Sequence, residues 1–201
     1  MCEKAIRFAL DARDLYSLVV LEHNYGWLFN FKGDGKNAVE HLQNGIKYSE
    51  EAQMPVLLGL LNSGLAWGYY LLEEPEAARE QAEKAIKIHS DTGIPFLLSV
   101  AYSLLGTLHL DSGDLEEAHR CVDEALRLSQ NNNEKYAEGV SRMLQGRILG
   151  KAAKSRFPTA EEYILQGIAI LDELKLKPWS NVGYLYLGEL YADMGQTEKP
   201  W

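Results

Sequence analysis

Hydrophobic residues recur at spacings of three and four along most of the chain, in runs that are too long for β-strands. This spacing puts them on one face of an amphipathic helix. Short polar breaks that contain Gly, Asp or Pro separate the runs, as at 33–35, 73–75 and 111–114. Gly113 suits the left-handed conformation that ends a helix, and Asp114 is suited to cap the next one. The pattern predicts an all-α chain of paired helices, the third pair starting at Pro95.

Small residues return along these helices at a fixed step of forty residues. A small residue lets two crossing helices approach closely, so the step predicts a stack of similar antiparallel hairpins. Such stacks bind partners far more often than they catalyse reactions. The three series are Gly26, Ala66, Gly106 and Gly146; Ala38, Ala78 and Ala118; and Gly45, Ala85 and Ala125.

The positions of the forty-residue step indicate a single array of repeats. The array starts inside one repeat and stops inside another. Repeat four has two extra residues in its turn, 151–158, because its first and second small residues are fourteen apart instead of twelve. We expect a fragment of a longer protein, or ends covered by another chain, possible homo-oligomer contacts included. The expected segments are the second helix of a truncated repeat at 1–12, repeats at 13–54, 55–94, 95–134 and 135–177, and the first helix of repeat five at 178–201.

These positions resemble the tetratricopeptide repeat family. In the third repeat the family pattern is carried by Tyr102, Leu105, Gly106, Ala118, Val122 and Ala125, with His109 at its aromatic position. The forty-residue form is similar to C-terminal repeat regions of bacterial regulators linked to ATPases and adenylate cyclases. The resemblance implies an all-α, right-handed α-α superhelix of about ten antiparallel helices. HEAT and armadillo arrays also have periods near forty, but they lack this Gly/Ala register.

The resemblance also implies that the first helix of each pair lines a concave groove. Four aromatic residues then fall in the N-terminal half of the groove: Trp27, Phe31, Trp67 and Tyr70. They could anchor an apolar or aromatic side chain of a bound peptide, as interface hot spots do. Alternatively, the rings pack against neighbouring repeats or one another, since aromatic stripes at helical spacing usually mark packing.

The C-terminal half of the groove is charged instead. Residues 135–157 carry six basic side chains and one acid, and Arg147 and Lys151 lie one turn apart. This face could receive an acidic peptide, a C-terminal carboxylate or a phosphate. Alternatively, Arg147 and Lys151 pair with acids at the same positions of adjacent repeats, Glu189 and Asp193 among them, with no ligand involved.

Composition excludes several other classes of function. The net charge of −9 argues against a general nucleic-acid binder. Neither a run of about 18 apolar residues nor a signal peptide is present, so we expect no membrane span. The two isolated cysteines fit a reducing, cytoplasmic location. Cys2 and Cys121 do not suffice for a disulfide framework, and His119 and Cys121, two apart on a helix, are a poor metal pair. No catalytic or cofactor motif appears, so we expect no enzyme, cofactor or metal.

The sequence therefore predicts a noncatalytic scaffold for protein–protein interaction, which binds a peptide or protein partner in its concave groove. The alternative is a regulatory or sensor segment of a larger signalling protein linked to an ATPase or adenylate cyclase. In that case any catalytic activity lies outside these residues. The expected partner-contacting residues are Trp27, Phe31, Trp67, Tyr70, Arg147 and Lys151.

Overall fold

The computed structural model describes residues 2–195, which form ten α-helices, one short 3-10 helix at 154–156 and no strand. The all-α prediction is confirmed for these residues. Residues 1 and 196–201, which the sequence assigns to the two terminal segments of the array, lie outside the described residues. The helices are α1 (Cys2–Ala12), α2 (Leu15–Phe31), α3 (Gly35–Glu51), α4 (Pro55–Leu71), α5 (Pro75–Thr92), α6 (Leu98–Asp111), α7 (Leu115–Asn131), α8 (Lys135–Ala152), α9 (Phe157–Glu173) and α10 (Lys177–Asp193).

The chain divides into two compact units, Met1–Ala101 and Tyr102–Trp201. In the first unit, α1 to α4 each pack against the helix that follows, and α2 also contacts α4. In the second unit, α7, α8, α9 and α10 pack in the same sequential way, and α8 also contacts α10. The first helices of successive hairpins therefore share a face within each unit.

Turn chemistry explains where the helices stop and start. Gly113 has a φ of 84°, which the missing side chain allows, and Asp114 Oδ1 accepts a hydrogen bond from the backbone N of Glu117 at 3.2 Å. Asp34 caps α3 in the same way, through the backbone N of Asn37 at 3.2 Å. The predicted helix end at Gly113 and the predicted cap at Asp114 are thus confirmed.

Two helix boundaries depart from a simple periodic pattern. Helix α6 begins at Leu98 and not at Pro95, so that prediction was wrong; Leu97 has a φ of 60°, which a right-handed helix cannot include. After α8 ends at Ala152, Ala153 is extended, and α9 begins only at Phe157. The two inserted residues predicted at 151–158 are absorbed by this irregular turn.

Pairs of small and large residues meet where the helices of the first and fourth hairpins cross. A Cβ atom added to Gly26 would overlap the Leu42 side chain, and one added to Gly146 would lie 2.6 Å from Ile164 Cγ1. A larger residue at either glycine would force its partner side chain to shift. Leu42 and Ile164 are fully buried, so these crossings are part of the hydrophobic core of their respective units.

Candidate functional site

The face shared by α2 and α4 in the first unit contains a cavity of about 120 Å³. Its wall is almost entirely aliphatic, and the only polar side chains in it come from one turn of α2. A cavity of this size has room for several non-hydrogen atoms, which corresponds to one aliphatic or aromatic side chain. The lining residues are Val19, Val20, His23, Asn24, Leu57, Leu60 and Leu61.

One hydrogen bond sets the chemistry of the polar part of this cavity. Trp27 Nε1 donates to His23 Nε2 at 3.1 Å, so the imidazole accepts at Nε2 and carries its proton at Nδ1. Burial lowers the pKa of His23 below its ordinary value of 6.5, although a hydrogen bond with Asn24 opposes the shift. His23 is therefore neutral near pH 7, and the cavity carries no formal charge.

The two indole rings that the sequence places in the groove are largely buried. Trp27 is 9% exposed and Trp67 is 8% exposed. The Trp27 ring lies against Gly64 of α4, where a Cβ atom would approach Nε1 to 3.2 Å. Much of each indole surface is therefore used for packing, which is the alternative that the sequence left open.

Each indole has a second aromatic ring beside it on the same helix. The ring centroids of Trp27 and Phe31 are 5.8 Å apart, and those of Trp67 and Tyr70 are 5.5 Å apart in an edge-to-face arrangement. Phe31 and Tyr70 are only half-buried. Their contact with a partner stays a prediction, and they offer more accessible ring surface for it than the two tryptophans do.

Arg147 lies at the centre of the charged face of the second unit. Its Nε donates to Glu189 Oε2 at 2.9 Å and its Nη2 to Glu189 Oε1 at 3.4 Å, and Asp111 Oδ1 lies 3.5 Å from Nη1. The guanidinium also stacks over Tyr186, with its Cζ atom 4.6 Å from the ring centroid. Arg147 thus links three successive first helices, α6, α8 and α10.

Lys151 makes a simpler contact one turn along α8. Its Nζ donates to Asp193 Oδ2 at 3.0 Å, and both side chains are close to half exposed. The inter-repeat ion pairs that the sequence offers as the alternative to ligand binding are therefore present at Arg147 and Lys151. A role for these two residues in partner binding stays a prediction.

A family model described as Tetratricopeptide repeat matches residues 99–132, which span α6, its turn and α7. BtubC (BKLC) from P. vanneervenii is similar over 98% of this chain and 81% of its own, with a TM-score of 0.69 and 20% identity. The chain has a tetratricopeptide-like fold. The resemblance stated from the sequence, and the all-α solenoid class that it implied, are confirmed.

Two further solved structures are similar to this tetratricopeptide-like chain. RapI in its apo form matches 95% of the chain and 78% of its own length, with a TM-score of 0.66 and 13% identity. A Signal Transduction ATPase with Numerous Domains from Pyrococcus horikoshii, which has a tetratricopeptide repeat sensor, matches 95% of the chain and 30% of its own, with a TM-score of 0.63 and 18% identity. No curated protein sequence matches the chain significantly. At these identities the likenesses show the fold alone.

The tetratricopeptide-like fold fits the coarse prediction of an interaction scaffold, since arrays of this kind are generally noncatalytic. No helix within the described residues is long and apolar enough to cross a membrane. Sequence reasoning missed the cavity itself, although a signal was available. Val20 and Leu60 are forty residues apart, and each lies seven residues, about two helical turns, before a tryptophan, so an aliphatic pair repeats there with the array.

The neutral state of His23 predicts a pH dependence of stability. The folded protein holds the pKa of His23 below 6.5, so the unfolded chain binds a proton at this residue more readily. The contribution of neutral His23 to the free energy of unfolding is therefore fully present above pH 6.5. We expect it to fall as the pH drops below 6.5 towards the folded-state pKa. A His23→Gln variant, which keeps an acceptor for Trp27 but does not titrate in this range, provides the control. Urea unfolding at several pH values checks this, and equal pH profiles for the two proteins would contradict it.

Proposed function

We propose that this chain is a noncatalytic scaffold that binds an extended segment of a protein partner, with one apolar side chain of that segment in the α2/α4 cavity. The observation that carries the proposal is the cavity itself, which is aliphatic, sized for one side chain and located on a face formed by first helices. Binding sites of this type are concave and mostly apolar, with a few polar groups that fix the orientation of the ligand.

The polar groups at the cavity favour a peptide over a purely apolar ligand. Asn24 is exposed, and its amide offers both donors and an acceptor that can pair with a peptide backbone. His23 is neutral, so it neither attracts nor repels a charged side chain strongly. An apolar side chain entering the cavity would leave the hydrogen bond between Trp27 and His23 intact. Phe31 lies next to Trp27 and extends the apolar surface along α2.

The remaining candidate residues take a secondary part in this proposal. Trp67 and Tyr70 would extend the apolar surface along α4. An acidic group of a partner reaches Arg147 or Lys151 only by competing with Glu189 or Asp193, which already pair with them. Competition of this kind lowers the net gain from a new ion pair, so the charged face would contribute selectivity more than affinity.

The test fills the cavity and measures peptide binding. Peptides selected from a random library against the full chain are titrated against Val20→Phe, which places a ring in the cavity, and against Val56→Phe, a matched change at an exposed position of α4 outside it. We expect Val20→Phe to weaken binding by roughly tenfold or more, which corresponds to about 1.4 kcal/mol. Val56→Phe should bind like the parent protein.

Folding is controlled in the same experiment by the melting temperature of each variant. Unchanged affinity in a folded Val20→Phe variant would refute the proposed anchor site. Leu60→Phe fills the cavity from α4 and provides an independent check if Val20→Phe melts early.

A sensor segment of a larger signalling protein is the second candidate. It is favoured by the similarity to the Pyrococcus horikoshii ATPase, whose structure has a tetratricopeptide repeat sensor and of which only 30% is matched. A ligand that binds only the folded state raises the melting temperature. Stabilisation by a small metabolite and not by peptides supports sensing, whereas stabilisation by peptides alone supports the scaffold.

A further inference from the structure

A cluster of three metal-ligand side chains lies near the turn between α6 and α7, in the second unit. His109 comes from the end of α6, and Glu117 and Cys121 come from α7. One ligand atom of each residue lies within 4.8 Å of the other two. Cys121 is buried, and His109 and Glu117 are partly buried. An imidazole, a carboxylate and a thiol therefore converge on one small volume.

The antiparallel hairpin brings these residues together although they are distant in sequence. His109 and Glu117 are each four residues from Gly113, where the chain turns, so they face each other across the hairpin. Cys121 follows Glu117 by four residues and shares its side of α7. The sequence predicted no metal site, because His119 and Cys121 are a poor pair on one helix and His109 was assigned to the aromatic position of the repeat.

The other repeats provide an internal comparison for this cluster. In the first repeat the equivalent residues form an ordinary contact, in which Phe29 and His41 stack with ring centroids 5.3 Å apart. Among the four repeats, only the third has His at the position that is Phe29 in the first. It is also the only one that combines a histidine, a carboxylate and a cysteine at these three positions. Packing a hairpin turn does not require a thiol, a carboxylate and an imidazole at one point. The equivalent residues are Phe29, Asn37 and His41; Tyr69, Ala77 and Gln81; and Leu149, Thr159 and Tyr163.

We propose that His109, Glu117 and Cys121 bind one Zn²⁺ ion. Nitrogen, oxygen and thiolate sulfur are the ligands that Zn²⁺ takes in proteins, and three protein ligands leave the fourth tetrahedral position to water. A point equidistant from three atoms that lie 4.8 Å apart is about 2.8 Å from each, so shifts of about 0.5–0.8 Å reach the usual bond lengths of about 2.0–2.3 Å. On binding, the Cys121 thiol releases its proton to solvent.

The charges around the cluster suit a divalent cation. Arg120 Nη2 and Nε donate to Glu117 Oε2 at 2.5 and 3.0 Å, which orients the carboxylate through one of its two oxygens. Asp114 Oδ2 lies 3.7 Å from His109 Nδ1 and adds a second carboxylate. The thiolate and two carboxylates together balance Arg120 and a divalent ion. The bound ion would join α6 to α7 across their turn and stabilise the hairpin.

Cobalt is the probe for this site, because Co²⁺ adopts a tetrahedral geometry like that of Zn²⁺ and gives an absorption band when a thiolate binds it. The titration uses the full chain with Cys2→Ser, which removes the chain's other cysteine. We expect one equivalent of Co²⁺ to bind with a thiolate band, Zn²⁺ to displace it, and Zn²⁺ to raise the melting temperature. Cys121→Ser should abolish the band and weaken Zn²⁺ binding by roughly 100-fold or more.

His109→Tyr is the second variant, because Tyr occupies the equivalent position of the second repeat and the hairpin should fold with it. We expect it to weaken Zn²⁺ binding to a similar extent. His119→Gln removes a neighbouring histidine outside the cluster and should leave binding unchanged. No thiolate band in the parent protein, or Zn²⁺ affinity unaltered in both Cys121→Ser and His109→Tyr, would overturn the proposal.

Discussion

Leu42→Ala should lower the free energy of unfolding of the first unit by about 3 kcal/mol, because Leu42 is fully buried and its loss leaves a cavity. Gly26→Ala should cost about 2 kcal/mol, since the added Cβ overlaps the Leu42 side chain. Combined, the two changes should cost at least about 1 kcal/mol less than their sum, because each relieves the defect of the other.

The chain itself contains the double replacement. The equivalent positions in the next hairpin are Ala66 and Ala82, both fully buried, so an Ala–Ala crossing is compatible with this fold. Urea unfolding followed by tryptophan fluorescence measures the cycle, because Trp27 and Trp67 both lie in the first unit. Leu28→Ala, at a residue that is 41% exposed on α2, is the control and should cost under about 1 kcal/mol. Strict additivity of the two core changes would show that this crossing does not set the packing.

The forty-residue step of small residues predicted these helix crossings. A close crossing excludes large side chains at one position, and the same crossing recurs in each repeat. Gly26 and Gly146 must be small whatever the partner of the protein is, so these crossing positions can be recognised from a single sequence. The depth of burial of Trp27 could not be predicted from the sequence in the same way. A helical stripe shows which face a ring occupies, but the same face meets both the next hairpin and solvent.

Contacts between helices divide into those that keep the repeat register and those that do not. Arg147 and Glu189 occupy the same position in successive repeats, so their pairing could be anticipated from the register. The cluster of His109 and Cys121 depends on the turn inside one hairpin, and no short sequence motif pairs its residues. The α2/α4 cavity is an empty volume, and its size follows from side-chain packing that periodicity does not specify.

Arg147→Met should destabilise the second unit by about 2 kcal/mol, whereas Lys151→Met in the same helix should change stability by less than about 0.5 kcal/mol. Arg147 is only 19% exposed, donates two hydrogen bonds to Glu189 and stacks over Tyr186. Its removal leaves the Glu189 carboxylate without these donors. Lys151 makes one contact between side chains that are 44% and 46% exposed, where water replaces the lost partner.

Arg147→Lys separates geometry from charge in the same comparison. Lysine keeps the positive charge but cannot donate in the bidentate, planar manner of a guanidinium, so we expect it to recover less than half of the loss. Urea unfolding at low and high salt provides the measurement. Salt should reduce the small contribution of Lys151 and leave most of that of Arg147, because the latter is shielded from solvent. Equal losses for Arg147→Met and Lys151→Met would mean that the link between α8 and α10 does not stabilise this unit, and would favour a role for Arg147 in binding the partner.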